Sequence, residues 1–359
     1  MTVYDIIEIL AKILFIYGMN LAFFTPVLGW VERKQSALMQ DRIGGNRANI
    51  FGFRAIGLIH SLTDALKTLM KEDFVPDRAN KFFHTLAPFM SLTPAMITFA
   101  VIPFGGTYKI GDHTINLVIA DLDIGILFIF AFASIATYGT FLAGWASNNN
   151  WSLLGGLRAA AQMLSYEVAM GLSIIGVLMV YGTLKLTEIG AIQQDFLKWG
   201  IFMQPLGFIL FFACSIAENK RAPFDAPEAE SELVAGYFTE YSSMKFVMFW
   251  MGEFHEMVTI AGIMTTLFFG AWHIPFVSDA MLLSWFSFAG PIGAVIFAIA
   301  TNILVFYSKV IFFLWLQMAI RWTLPRFRYD QIMKLGWKIL LPLALVNIFV
   351  TGVAVLVLG

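Results

Sequence analysis

The chain has 359 residues, of which 59% are hydrophobic and only 13% charged, and its formal net charge is −1. A mean hydropathy of +0.76 excludes an ordinary soluble globular protein, and so balanced a charge gives no footing for nucleic acid. Helices satisfy every backbone polar group without water, and about 20 apolar residues of helix cross a ~30 Å hydrocarbon layer.

Eight such runs recur, at roughly 6–29, 83–105, 121–144, 162–182, 200–217, 244–271, 294–320 and 337–358. The expected fold is an all-α integral membrane protein. It forms one membrane domain over residues 1–359, with eight transmembrane helices and interfacial amphipathic helices in its loops. The first run lacks a preceding basic stretch and an obvious small-residue cleavage site, so it reads as a span and poorly as a signal peptide.

The connection after the first run is long and is broken at Gly44–Gly45. In its second half Phe53, Ile56, Leu58, Ile59, Leu62, Leu66 and Leu69 fall near helical spacing, interrupted by Arg54, Asp64, Lys67 and Lys71. That pattern fits a helix lying in the membrane interface, or one packed on a partner protein. The fourth run carries an acid of its own, Glu167. The sixth carries Glu253 and Glu256, three apart and therefore facing nearly the same way, on either side of His255. Acids inside membrane helices mark wet functional cavities or static pairs with a base from another helix.

Between the fifth and sixth runs lies ENKRAPFDAPEAESELVAGYFTEY, residues 218–241, which gathers Glu218, Asp225, Glu228, Glu230, Glu232 and Glu240. Carboxylates crowded in a poorly solvated place cannot all ionise, so they titrate as a coupled set that answers a nearby change of charge. Pro223 and Pro227 forbid a continuous helix from the fifth run. Asp225 fits a helix N-cap with Pro227 in the first turn and Glu228 at the third position, a structural role that competes with a functional one. On that helix Glu228 and Glu232 share a face and Glu230 points the other way. Glu218 and Arg221 are spaced to form an ion pair at the end of a span.

Further along, the apolar stretch from Met281 to Gln317 is too long for one crossing, and Pro291, flanked by Gly290 and Gly293, divides a surface-lying piece from the span. Lys309, inside the seventh run, can pair with one of the buried acids or snorkel to the interface. With eight crossings, the first, third, fifth and seventh connections, counting Lys245 and Lys338 at the adjoining run ends, hold nine, one, three and five basic residues. By the positive-inside rule that side is cytoplasmic and both termini are outside. Cys214 is the only cysteine, so the chain can neither close an internal disulfide nor ligate an iron–sulfur cluster alone. No nucleotide-binding glycine motif occurs, and no metal site is expected.

Four blocks resemble one family. They are VERKQSALMQDRIGGNRA (31–48), AGWASNNNWSLLGGLRAAAQMLSYEVAMG (143–171), the acidic block, and RWTLPRFRYDQIMKLGWKILLP (321–342). They are similar to the H subunit of bacterial proton-pumping NADH:quinone oxidoreductase, respiratory complex I, the counterpart of mitochondrial NADH dehydrogenase subunit 1. The resemblance covers nearly the whole chain.

It implies a multi-pass subunit of the bacterial inner membrane that forms the membrane side of the quinone chamber and begins a chain of charged residues. The family's quinone is a substrate and no cofactor is attached covalently; flavin and iron–sulfur clusters reside in partner subunits. The implied partners are peripheral subunits carrying the terminal cluster, small membrane subunits, antiporter-like membrane subunits and the lipid bilayer, without nucleic acid.

Carried over by position, Glu32, Arg33, Arg42, Asp64, Arg221 and Phe224 match residues around the quinone. Glu167, Glu218, Asp225, Glu228, Glu230, Glu232, Glu240 and Glu253 match the set that links it to the proton path, and Arg158 precedes Glu167 at the family's spacing. The chain departs from the family at Gly45, where Pro is usual, and at Phe254–His255, where a Tyr usually follows the acid. Two other readings fit clustered acids: an anchoring subunit of a membrane-bound hydrogenase and a free-standing cation/proton antiporter.

Overall fold

The computed structural model describes residues 3–110, 113–228 and 230–358. The helices, in chain order, are α1 (Val3–Tyr17), α2 (Thr25–Met39), α3 (Ile59–Met70), α4 (Lys81–Thr98), α5 (Gly125–Ala146), α6 (Asn150–Tyr181), α7 (Leu186–Ile192) and α8 (Gly200–Met203). They continue with α9 (Pro205–Glu218), α10 (Glu230–Leu233), α11 (Ser243–Phe268), α12 (Asp279–Trp285), α13 (Gly290–Thr323), α14 (Tyr329–Leu335) and α15 (Leu341–Leu358). Among the described residues the one paired sheet is an antiparallel hairpin, β1 (Thr107–Ile110) with β2 (His113–Asn116), which sets Tyr108 opposite Ile115. The chain is thus the expected all-α membrane protein, with a small hairpin that hydropathy alone does not announce.

Six stretches have the length and composition to cross a bilayer: Ile6–Met39, Lys81–Val101, Gly125–Ala146, Asn150–Tyr181, Gly290–Thr323 and Tyr329–Val357. The first is continuous because a π-helical segment, Gly18–Phe24, joins α1 to α2. The other two expected spans have local reasons to differ. The fifth is broken at Gln204, where Pro205 opens α9 and leaves α8 a single turn. The sixth, α11, runs for 26 residues but carries Lys245, Glu253 and Glu256.

Sequence signals set the helix ends. Asn149 accepts from the Trp151 N–H at 2.9 Å to start α6, and Gly182, at φ +69°, ends it by donating to Leu178 O at 2.8 Å. The chain divides at Gly290–Pro291 as expected, with α12 before the break and α13 after it.

Leu14, Leu304 and Phe349 are among the large apolar side chains turned outward, while Gln162, Glu253 and Thr265 are buried. That inside-out distribution suits a lipid solvent, where association rests on close packing and buried polar contacts. Helix α6 lies at the centre with α5, α9 and α15 against it, and α4 bridges α5 and α11. Glycines permit the closest approaches. A Cβ at Gly144 would meet Ser152 O at 2.5 Å, and one at Gly139 would meet Ser91 N at 2.7 Å. At Gly155 it would meet Gly236 Cα at 2.6 Å and Tyr237 N at 2.8 Å, so α6 presses directly on the acidic connection.

This contact is testable. Overpacking costs about 1–3 kcal/mol, so Gly155→Ala lowers the thermal midpoint of the detergent-purified protein by several degrees. Gly171→Ala, where nothing lies within 4 Å of a new Cβ, leaves it unchanged.

Candidate functional site

The acidic connection does not form the helix that its proline spacing suggests. Residues 221–228 run through turns, and α10 is a single turn at Glu230–Leu233. Asp225 therefore caps no helix, and Glu228 and Glu232 do not share a helical face. The connection is held by long-range hydrogen bonds instead. Gln162 of α6 donates its amide to both Ala217 O and Phe224 O at 2.7 Å. Phe327 N donates to Pro223 O at 3.0 Å. These bonds satisfy backbone groups that turns leave open, which a buried loop requires. Phe224 is itself buried, packed between Tyr166 and Phe327 at ring distances of 5.7 and 5.3 Å.

The turns place Arg221 at the centre of a charged cluster. Its guanidinium lies 3.1 Å from Glu32 Oε2 and 3.6 Å from Glu253 Oε2, and 4.1 Å from the centre of the Phe254 ring. Glu32 uses its other oxygen to bind Arg321 of α13 at 2.6 Å. Glu253 in turn accepts from the Tyr237 hydroxyl at 2.9 Å. The expected Glu218–Arg221 pair is absent, because Arg221 turns to the acids of α2 and α11. Burial opposes the charge of Arg221, but Glu32 and Glu253 outweigh it and hold its pKa above the usual guanidinium range.

Two acids of the connection respond to the same surroundings. Burial, reinforced by Glu253 and then Asp225, pushes Glu228 up to about 8 against the opposing fields of Arg221 and Arg321. Burial likewise lifts Asp225 to about 6, despite Arg326 and Arg321 nearby. Arg326 lies 3.7 Å from the Asp225 carboxylate and also donates to its carbonyl. Tyr237 is raised above the ordinary phenol by burial and then by Glu253 and Glu228, which keeps its proton on the hydrogen bond. A cluster with one carboxyl near 8 and another near 6 changes its protonation across the physiological range.

The remaining predicted residues lie apart from this centre. Arg33 pairs with Asp64 at 2.6 Å, both about half exposed. Arg42 is exposed and donates to Gln40 Oε1 at 2.7 Å. Glu232 pairs with Arg158 at 2.7 Å. Glu240 accepts from Asn149 at 2.7 Å, while its carbonyl accepts from His84, whose ring stacks on Tyr241. Glu167 accepts from Ser134 of α5. Glu218 lines a separate cavity with Glu256. The side chain of Glu230 lies outside the described residues. Lys309 joins no acid: it donates to the carbonyls of Phe269, Ala271 and His273 at 2.8, 3.0 and 2.7 Å, beyond the end of α11.

Sequence reasoning missed Arg321, Tyr237, Gln162 and Lys220 as members of the site. Arg321 opens the fourth family-like block, and Tyr237 lies in the third. Gln162 lies in the second such block and Lys220 in the third, yet nothing local marks their partners: Gln162 binds carbonyls 55 and 62 residues away, and the Lys220 ammonium rests over the Tyr237 ring.

A profile of the NADH dehydrogenase family matches residues 11–352. In Geobacter metallireducens, the NADH-quinone oxidoreductase H subunit numbered 2 is 48% identical over 337 residues, 91% of this chain and 89% of its own. The H subunit numbered 1 of the same enzyme in Cytophaga hutchinsonii is 46% identical over 327 residues, 91% of each chain. Its counterpart numbered 1 in Geobacter sulfurreducens is 46% identical over 363 residues, 97% of this chain and 95% of its own. The chain belongs to the family of NADH-quinone oxidoreductase H subunits.

Removing Arg221 leaves the buried Glu253 without its cation and Glu32 with Arg321 alone, and breaking a buried pair costs about 3–5 kcal/mol. Arg221→Met is therefore expected to lower the thermal midpoint sharply. Arg33→Met, at an exposed pair worth under about 1 kcal/mol, changes it little. Equal losses in the two variants would contradict the central place given to Arg221.

Proposed function

We propose that this chain walls the membrane side of a quinone chamber and couples quinone reduction to proton movement through its buried carboxylates. The observation that carries the reading is the cluster of Arg221 with Glu32, Glu253, Arg321 and Glu228. Reduction of a quinone to a quinol takes two electrons and two protons. The electrons would come from an iron–sulfur cluster in a peripheral partner subunit, and this chain's part is electrostatic.

Negative charge formed on a reduced quinone favours the protonated form of nearby acids. At an effective dielectric of about 20, a unit charge about 5 Å away contributes roughly 3 kcal/mol, or about two pKa units. A carboxyl such as Asp225, lifted to about 6, is ionised at neutral pH and poised to take up a proton under such a change. Arg221 and Arg321 stabilise the ionised neighbours through the cycle. Glu253 joins the cluster to Tyr237, and Glu218, Glu167 and the acids of the connection would carry the protonation change toward the neighbouring membrane subunits.

The exposed first connection supports a docking role beside the chamber. Phe51, Phe53, Ile56 and Met70 project from it unburied, the pattern of a surface covered by lipid or by the peripheral subunits. Counting α9 and α11 as crossings gives eight spans, with the charged connections on the cytoplasmic side of the inner membrane and both termini in the periplasm. Small and antiporter-like membrane subunits would adjoin the chain within the same complex.

Two measurements on the assembled complex test this. Glu253→Gln is expected to spare assembly yet lower quinone reductase activity and proton pumping together, by tenfold or more; full activity and pumping would contradict the relay. Glu228 is neutral below about pH 8 and ionises as the pH rises through that value. If its proton is needed, the alkaline limb of the wild-type pH–rate profile falls near 8. Glu228→Gln, which stays uncharged, removes or displaces that limb, and an unchanged limb would rule out Glu228 as its source.

A further inference from the structure

A cavity of about 40 Å³ lies among α4, α5, α6, α9 and α11. Most of its wall is apolar, from side chains such as Ala95, Ile129, Met170, Phe211 and Ile260. Besides Thr98, whose hydroxyl donates to Ala95 O at 2.7 Å, four polar residues interrupt that wall: Glu218, Asn219, Glu256 and Thr259. Each contributes a buried oxygen that finds no hydrogen-bond partner in the protein: Glu218 Oε2, Asn219 Oδ1, Glu256 Oε2 and Thr259 Oγ1. Glu218, Asn219 and Thr259 are 7%, 2% and 4% exposed. The Asn219 amide is oriented by its own nitrogen, which donates to Gln317 Oε1 at 3.2 Å and leaves the oxygen unused.

Buried oxygens without partners are costly, and a site that gathers several of them implies a ligand that supplies what they lack. Among the described residues neither Glu218 nor Glu256 has an ion pair. Lys220 acts on both through its field, but its ammonium rests 5.9 Å over the Tyr237 ring. Arg221 is engaged by Glu32 and Glu253. Glu167, whose field also reaches Glu218, is engaged by Ser134; the site's own two carboxylates, ionised on a bound cation, and the one ammonium leave a single negative charge. Glu218 and Asn219 also stand at the C-terminal end of α9, where the helix dipole favours a cation.

Two carboxylates, an amide carbonyl and a hydroxyl form an all-oxygen donor set, the chemistry of hard cations. One uncompensated charge suits a monovalent ion better than a divalent one. We propose that this cavity binds a sodium ion through Glu218, Glu256, Asn219 and Thr259. Glu256 is the carboxylate of the site that neither the family-like blocks nor the Arg221 cluster uses. Glu218 is shared with the proposed relay, but binding is read without turnover, so the two readings fail separately.

The test is equilibrium binding of radioactive sodium to the purified complex, at constant ionic strength maintained with choline. The expected result is saturable binding of which one equivalent is lost, or weakened at least tenfold, in Glu256→Gln. Thr259→Val, similar in shape but without the oxygen, weakens the same equivalent several-fold. Glu188→Gln, on a surface hydrogen bond to Thr183, leaves it intact. No saturable binding, or equal binding in wild type and Glu256→Gln, means that the cavity holds water only and overturns the proposal. If Glu256→Gln does not assemble, Thr259→Val decides, and unchanged binding in that variant overturns the proposal. Full quinone reduction and pumping in Glu253→Gln with sodium binding intact would count against the relay and leave the sodium site standing.

Discussion

A charge removed from water must be compensated where it lies, and Arg221 shows how this membrane protein meets that demand. Each ion taken from water into a poorly polarisable interior costs several kcal/mol even after relaxation. Arg221 recovers that cost by lying between Glu32 and Glu253, and Glu32 is shared with Arg321. The cluster joins α2, α11, α13 and the acidic connection, so its geometry depends on four parts of the chain. Other contacts serve that placement. Gln162 binds two carbonyls of the connection. Gly155 lets α6 reach the backbone at Gly236. Gly236, at φ +55°, sits where a Cβ would collide with the Pro227 carbonyl.

Helix α11 carries this logic to two places. Glu253 reaches Arg221 and Tyr237, while Glu256, less than one turn later, opens onto the cavity with Glu218. Field effects weaken with distance: at an effective dielectric of about 20, a unit charge about 20 Å away contributes under 1 kcal/mol. Coupling over longer paths therefore passes through neighbours that each change protonation or ion occupancy. On the proposed reading, the two acid groups on one helix would provide successive stations of that kind.

Much of the architecture was readable from hydropathy, because lipid imposes a simple length rule. The long apolar helices, the break at Pro291 and the outward apolar face of α3 all follow from local patterns. The interior of the acidic connection was not readable in that way. Asp225, Pro227 and Glu228 have the local spacing of a capped helix, yet Gln162, Phe327 and Arg326 bind the connection from far along the chain and stabilise turns. The partner of Arg221 was misassigned for the same reason: Glu218 is three residues away, whereas Glu32 is 189 away. The family resemblance compensated in part by pointing to Glu32 and Glu253, but it did not say that these two acids share one guanidinium.

The central claim is that buried carboxyls of this cluster change protonation when quinone is reduced. Redox-induced infrared difference spectroscopy on the assembled complex reads it directly, in the stretching region of protonated carboxyl groups. A band is expected to appear on quinone reduction in the wild type at neutral pH, where Asp225 is ionised beforehand, and to be missing when Asp225 is replaced by asparagine. A spectrum without carboxyl bands, or one identical in the two proteins, would contradict it.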